Sequence, residues 1–184
     1  MATVSLDVEG TLADAHGRLL AVYNDRHGTD HELADMNDWH WVREELDYDE
    51  FMSITQREWA ENHGAIEPLE DGLAKAVDRL CERHTVDVVT ARRGVEDEMQ
   101  EWLDDRGMDS YRDFHSIDPS STKATMGYDI YIDDKPGLAD MLGDGQIQYV
   151  IRQPYNRDSR MPLDKTIPVM TVAEAAESIC AYKP

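Results

Sequence analysis

Short apolar runs rich in β-branched residues occur at Thr3 to Leu6, Thr85 to Val89, Ile130 to Ile132 and Ile147 to Ile151, with a weaker one near Arg112 to Ile117. Between these runs the apolar positions fall at helical spacing. Gly72 to Arg83 places Leu73, Ala76, Val77 and Leu80 on one face, and Val95 to Arg106 and Val172 to Tyr182 behave similarly. Strands that alternate with amphipathic helices predict an α/β fold, a doubly wound parallel sheet with right-handed crossovers.

The interval 14–68 is too long for one crossover helix. It contains helix-like patterns around Leu19 to His27, Trp39 to Leu46 and Tyr48 to His63. The expected organisation is a core built from 1–13 and 69–184, with a small helical cap, 14–68, inserted after the first strand.

In an open parallel sheet, ligands bind beyond the carboxyl ends of the strands. The first strand, in VSLDVEGTL, runs out onto Asp7, and Gly10 lets the chain turn sharply soon after. Three later segments place polar groups in comparable positions: VDVVTAR with Thr90 and then Arg92, STKATMGYD with Lys123, and DIYIDDKP with Asp133 and Asp134. A strand-end Asp can act as a nucleophile toward a phosphoryl group. A lysine and a threonine hydroxyl suit a fixed anion. Carboxylates and a phosphate together call for a bridging cation such as Mg²⁺, which prefers a few oxygens with several waters retained.

Each residue also has a plainer explanation. Asp7 could cap a turn, Arg92 and Lys123 could be surface side chains, and IDDKPG could open a helix with Pro136 near its first position. The order of the four segments, each beside a β-like run, is what joins them.

In that order they resemble the motifs of the haloacid dehalogenase-like (HAD) hydrolase superfamily, Asp-x-Asp-Gly-Thr, a Ser/Thr, a Lys and an acidic pair. The similarity spans most of the 184 residues. It implies that Asp7 forms an aspartyl-phosphate and that Thr90 and Lys123 hold the phosphate. It further implies that Asp7, Asp133, Asp134 and the backbone carbonyl of Glu9 serve the metal, and that the cap shields the site and helps select substrate. The second acid of the first motif is normally Asp, and here it is Glu9. In the superfamily that acid protonates the leaving oxygen and later activates water. The Glu9 carboxyl sits one methylene, roughly 1.5 Å, further out. A displacement on the order of 1 Å can cost ~10²-fold in rate, so the backbone compensates, or turnover is slow, or it is absent.

A narrower set of segments, MNDWHW, YIDDKP and IRQPYNR, resembles the 5′(3′)-deoxyribonucleotidase branch and implies (deoxy)nucleoside monophosphates as substrates. Trp39, Trp41, Phe51 and Trp59 could stack on a base or form the cap's own small core. QPYN could touch ligand or be a plain turn. The expected function is a Mg²⁺-dependent phosphomonoester hydrolase. Two alternatives are a phosphate- or nucleotide-binding pseudoenzyme, in which Glu9 has uncoupled binding from turnover, and a haloacid dehalogenase. The latter would turn Asp7 against carbon and would not need Asp133 and Asp134.

Composition narrows the setting. An apolar content of 41% is enough for a real core, while 39 acids against 18 bases, only five of them Lys, give a net charge of −21. The mean hydropathy is −0.62. Such a surface suits a salt-saturated cytosol, where at molar salt a Debye length of about 3 Å screens acid–acid repulsion; the alternative is an ordinary acidic protein. No basic stripe suits a nucleic-acid polymer. No apolar stretch approaches the roughly 18 residues of a membrane span, and the chain enters a strand without a basic and then apolar leader. A soluble cytoplasmic protein acting on a small phosphorylated molecule is expected. Cys81 and Cys180 read as buried free thiols. His40, His63, His84 and His115 lack zinc-ligand spacing.

Overall fold

The computed structural model describes residues 1–181. Its strands are β1 (Thr3–Leu6), β2 (Thr85–Thr90), β3 (Phe114–Ser116), β4 (Ile130–Asp133), β5 (Ile147–Ile151) and β6 (Thr166–Val169). They form one sheet in the order β3-β2-β1-β4-β5-β6. Every pairing is parallel, with Leu6 opposite Val88 on one side and Ile132 on the other. The sheet is the doubly wound α/β arrangement expected. Its order reverses between β1 and β4, which opens a crevice beyond the carboxyl ends of these two central strands.

The α-helices are α1 (Ala15–His27), α2 (Trp41–Glu45), α3 (Tyr48–Asn62), α4 (Leu73–Cys81), α5 (Glu96–Asp105) and α6 (Val172–Ala181). Tyr182, expected at the end of the last helix, lies outside the described residues. Side chains alternate across the sheet, and the two faces differ. Val4, Leu6, Val86, Val88 and Ile132 point toward α4, α5 and α6, and pack there against Val77, Leu80, Met99, Leu103 and Ile179. The opposite face carries the buried polar groups Ser5, Asp87 and Gln148. Around Val89 and Tyr131, this face packs against Leu138 and Leu142 rather than a long helix. The 3-10 turns Lys123–Met126 and Pro136–Met141 stand where crossover helices were expected.

β6 was not anticipated from the pattern. It is an edge strand with exposed Ile167 and Pro168, and a proline that cannot donate to a ladder is tolerated at such an edge.

The 14–68 segment carries α1, α2 and α3. Asp14 caps α1 by accepting from the Gly17 amide at 3.0 Å, and Asp47 caps α3 through the Glu50 amide, also 3.0 Å. Leu19, Leu20, Tyr23, Trp41, Phe51 and Ile54 pack together, joined by Tyr155 from beyond β5. Trp59 departs from this cluster. It enters the main core and meets Trp102 edge-on, with ring centroids 5.9 Å apart. Both indoles are fully buried. Each removes on the order of 200 Å² from water, an upper figure of about 5 kcal/mol at 25 cal/mol per Å². Two antiparallel backbone bonds pair the entering and leaving chains at the base of the segment, Asp14 N–H to Glu67 O and Leu69 N–H to Leu12 O, both 2.8 Å.

Cys81 is partly buried and Cys180 buried, and both are free. Among the described residues, no helix is long and apolar enough to cross a membrane.

Candidate active site

β1 delivers Asp7 to the crevice, and the Asp7 amide extends the pairing by donating to Ile132 O at 3.0 Å. The chain then doubles back, with the Leu12 and Ala13 amides both donating to Val8 O at 2.9 Å. Gly10 sits in this turn at φ 77°. A Cβ there would lie 2.1 Å from Asp134 Oδ2 and 2.5 Å from the Tyr155 hydroxyl, so the site requires glycine for both conformation and space.

β4 brings Asp133 and Asp134 alongside. Lys123, from the turn before β4, donates through Nζ to Asp7 Oδ1 at 2.5 Å and to Asp133 Oδ2 at 2.7 Å. The other Asp133 oxygen accepts from the Lys135 amide at 2.8 Å. Asp134 is fixed from the far side: Tyr155 O–H donates to its Oδ2 at 2.6 Å, and Asn156 Nδ2 donates to its backbone carbonyl at 2.7 Å. Asp7, Asp133 and Asp134 each place a carboxylate oxygen within 4.8 Å of the others. They line a cavity of about 220 Å³ together with Glu9, Thr90, Lys123 and Trp39.

Charge is unevenly balanced here, because three buried carboxylates face one lysine. Burial, reinforced by Asp133 and opposed by Lys123, raises the Asp7 carboxyl to about 7. Burial and the charges of Asp7 and Asp133 hold Asp134 well above the usual carboxylate range. Burial would weaken the Lys123 ammonium, but Asp133 and Asp7 more than reverse it and raise its pKa. Carboxyls that retain protons this readily mark a place for positive charge. A set of close, hard oxygen donors fits a divalent cation such as Mg²⁺.

Glu9 is wired differently. Its Oε1 accepts from Trp59 Nε1 at 2.9 Å, and both of its oxygens accept from Arg92, at 3.1 to 3.3 Å. Burial pushes its pKa up, but the guanidinium and these hydrogen bonds prevail and hold it below the ordinary glutamate value. Its carboxylate stands outside the Asp7, Asp133 and Asp134 group. Arg92 is turned onto Glu9 and is not among the residues lining the cavity. Thr90 lines it, with Oγ1 accepting from the Arg92 amide at 3.0 Å. Trp39 is partly exposed and lines the cavity, whereas Trp41 is buried in the α1 to α3 cluster away from it.

Tyr155 and His16 were not singled out in the sequence. QPYN already read as either turn or ligand contact; the tyrosine's link to Asp134 spans 21 positions and no local pattern encodes it.

Comparison with known proteins agrees with this architecture. The family model for "5′ nucleotidase, deoxy (Pyrimidine), cytosolic type C protein" matches residues 1–163. A search of curated protein sequences gives no significant match. Among solved structures, the chain is similar to a HAD-like family hydrolase from Streptococcus pneumoniae, with a TM-score of 0.67 and 12% identity over 97% of this chain and 98% of the other. A protein described as a predicted phosphatase from Clostridium acetobutylicum also gives a TM-score of 0.67, with 13% identity over 98% and 99%. A HAD hydrolase from Bacillus subtilis, described as bound to magnesium, gives 0.57 with 15% identity over 97% and 98%. These low identities speak to the fold, while the family match covers most of the sequence. The chain therefore belongs to the cytosolic type C 5′-nucleotidase (deoxy, pyrimidine) family of HAD-type phosphatases.

Proposed function

We propose that the protein is a Mg²⁺-dependent phosphomonoester hydrolase that acts through an aspartyl-phosphate on Asp7, with (deoxy)nucleoside monophosphates as substrates. The observation that carries this reading is Lys123 bridging Asp7 and Asp133 beside Asp134 in one cavity.

Lys123 holds Oδ1 of Asp7, which leaves Oδ2, 3.5 Å from the Thr11 hydroxyl, for attack on phosphorus. The P–O bond to the alcohol breaks as the Asp7–phosphorus bond forms. Water then cleaves the acyl phosphate, and the net change is ester plus water to alcohol plus inorganic phosphate. Lys123 and the Thr90 hydroxyl meet the phosphate oxygens. Asp7, Asp133 and Asp134 would hold Mg²⁺, with the Glu9 backbone carbonyl as a further oxygen. When bound, the ion neutralises charge between carboxylates and phosphate. Glu9 occupies the acid–base position, and Trp39 faces the leaving group. In this reading 14–68 is a cap, and the partner is a small phosphorylated molecule rather than a nucleic-acid polymer or a membrane. The excess of acids supports a salt-rich cytoplasm as its setting.

One observation favours a second reading, binding without turnover. The Glu9 carboxylate is committed to Arg92 and Trp59 and holds its proton weakly. Phosphate release from p-nitrophenyl phosphate and a panel of nucleoside monophosphates, in molar KCl with and without Mg²⁺, separates the two. Metal-dependent release lost in Asp7→Asn is the expected result. Binding without release by the folded parent would select the second reading.

A further inference from the structure

The imidazole of His16, in the first turn of α1, carries an unused hydrogen-bonding capacity. Its Nδ1 is shut off from solvent with no partner among the described residues, so Nε2 is the nitrogen open to the cavity that His16 lines with Asp7, Thr90 and Lys123. Tyr155 packs against the ring, centroids 4.8 Å apart. Burial lowers its pKa against the pull of Glu9 and Asp14, so the ring is neutral at neutral pH. A buried, unpartnered N–H costs about 1–3 kcal/mol. With its proton on Nε2 the ring points a donor into the cavity, and Nδ1 is then an unpartnered acceptor instead of an unpartnered donor.

His16 and Trp39 also line a second cavity, of about 370 Å³, that extends to His40, Arg43, Tyr48 and Phe51. The two shared residues therefore stand at the junction of the cavities. The carboxylates and Lys123 lie on one side, and the 14–68 segment lies on the other. A phosphomonoester with its phosphorus at Asp7 would have its alcohol in the cavity that these two residues line with Asp7.

We propose that His16 is a specificity-determining residue whose Nε2–H donates to an oxygen of the leaving alcohol, a hydroxyl or ring ether one or two carbons from the ester. The class selected is polyol and sugar phosphates over simple aryl phosphates. The inference rests on the phosphomonoesterase reading above. His16 takes no proton in it; the ring contributes one hydrogen bond and orientation.

The test compares kcat and KM for glycerol 1-phosphate and ribose 5-phosphate with those for p-nitrophenyl phosphate, whose leaving group has no oxygen near the ester. In His16→Ala, the kcat/KM ratio of either oxygen-bearing ester to the aryl ester falls about tenfold, mainly through KM, the weight of one hydrogen bond. His16→Gln, which offers an amide N–H, recovers part of the ratio. His16→Leu fills the ring's volume without a donor and must match His16→Ala, which keeps the test open if the alanine variant folds poorly. An unmoved ratio, or equal losses on all esters without recovery in His16→Gln, overturns the assignment while leaving the phosphatase reading intact. A parent that hydrolyses nucleoside monophosphates but none of these three overturns the assignment alone, and one that hydrolyses none of them overturns both.

Discussion

Two groups of three metal-capable side chains occur among the described residues, and only one lies in the crevice. Asp7, Asp133 and Asp134 are all buried beyond the carboxyl ends of β1 and β4, whereas Asp87, Asp113 and His115 gather around β2 and β3. In the second group Arg112 pairs with both oxygens of Asp87, reaching Oδ1 at 2.9 Å, and its Nε lies 2.9 Å from Asp113. Tyr128 adds a hydroxyl to Asp87 at 2.7 Å. Both carboxylates there pair with Arg112. The first group faces a cavity with one lysine for three carboxylates. What separates a site from a closed structural cluster is the unbalanced charge and the open volume beside it, not the clustering of acids. Glu9 shows both behaviours: it lies in the crevice, yet Arg92 satisfies it much as Arg112 satisfies Asp87.

The contrast can be broken or sharpened by experiment. The largest effect is expected from Asp7→Asn, which should cut phosphate release at least ~10³-fold with the fold retained. Asp113→Asn should leave release untouched; comparable losses would end the distinction. Glu9→Asp should lower kcat by about 10- to 10²-fold, because the shorter chain cannot keep both Arg92 and Trp59. An unchanged or faster variant would show that the longer side chain is a compromise. Saturating Mg²⁺ at 100 times its Kd should add about 2.7 kcal/mol, or roughly 5–10 °C of melting temperature. That gain should disappear in Asp133→Asn and persist in Asp113→Asn, measured by thermal scans.

A smaller effect concerns protons. Asp7 titrates near 7 in the fold, chiefly through burial, against an ordinary value of 3.8. Between about pH 4 and pH 7 the native state keeps a proton that the unfolded chain has lost, so this group's contribution to stability declines as pH rises through that window. In EDTA, the urea midpoint of Asp7→Asn relative to the parent should rise from about pH 4.5 to about pH 7.5. A flat difference would mean that the carboxyl ionises normally. The smallest change is expected from Tyr128→Phe, which removes one bond to buried Asp87. It should cost about 1 kcal/mol, or 2–4 °C, without altering turnover.

The sheet was largely legible because β1, β2 and β5, buried on both faces, are mostly β-branched and apolar, with Ser5, Asp87 and Gln148 as single interruptions. β6 was not, since Ile167 and Pro168 face outward at an edge. The crossovers after β3 and β4 also departed from expectation, as 3-10 turns over a half-polar face took the place of helices. Within the crevice, Asp7, Thr90, Asp133 and Asp134 could be named because they stand at the ends of β1, β2 and β4, and Lys123 because it falls in the segment leading into β4. The partners that tune them could not. Trp59 meets Glu9 across 50 positions, Arg92 meets it across 83, and Tyr155 meets Asp134 across 21. Such contacts exist only once the chain has folded.

The paired backbones at the base of the 14–68 segment carry one more implication. Because Asp14 bonds to Glu67 and Leu69 to Leu12 at 2.8 Å, the chain leaves and re-enters the sheet through a gap no wider than a hairpin. Such a junction works as a socket. A tight turn, a larger domain or a different set of helices would meet the same two anchors and leave the strand-end carboxylates in register. Through this socket a lineage, or a protein engineer, can exchange the 14–68 segment and keep the strand-end carboxylates in place. The cross-tie that each replacement must supply anew is the indole that Trp59 offers to Glu9.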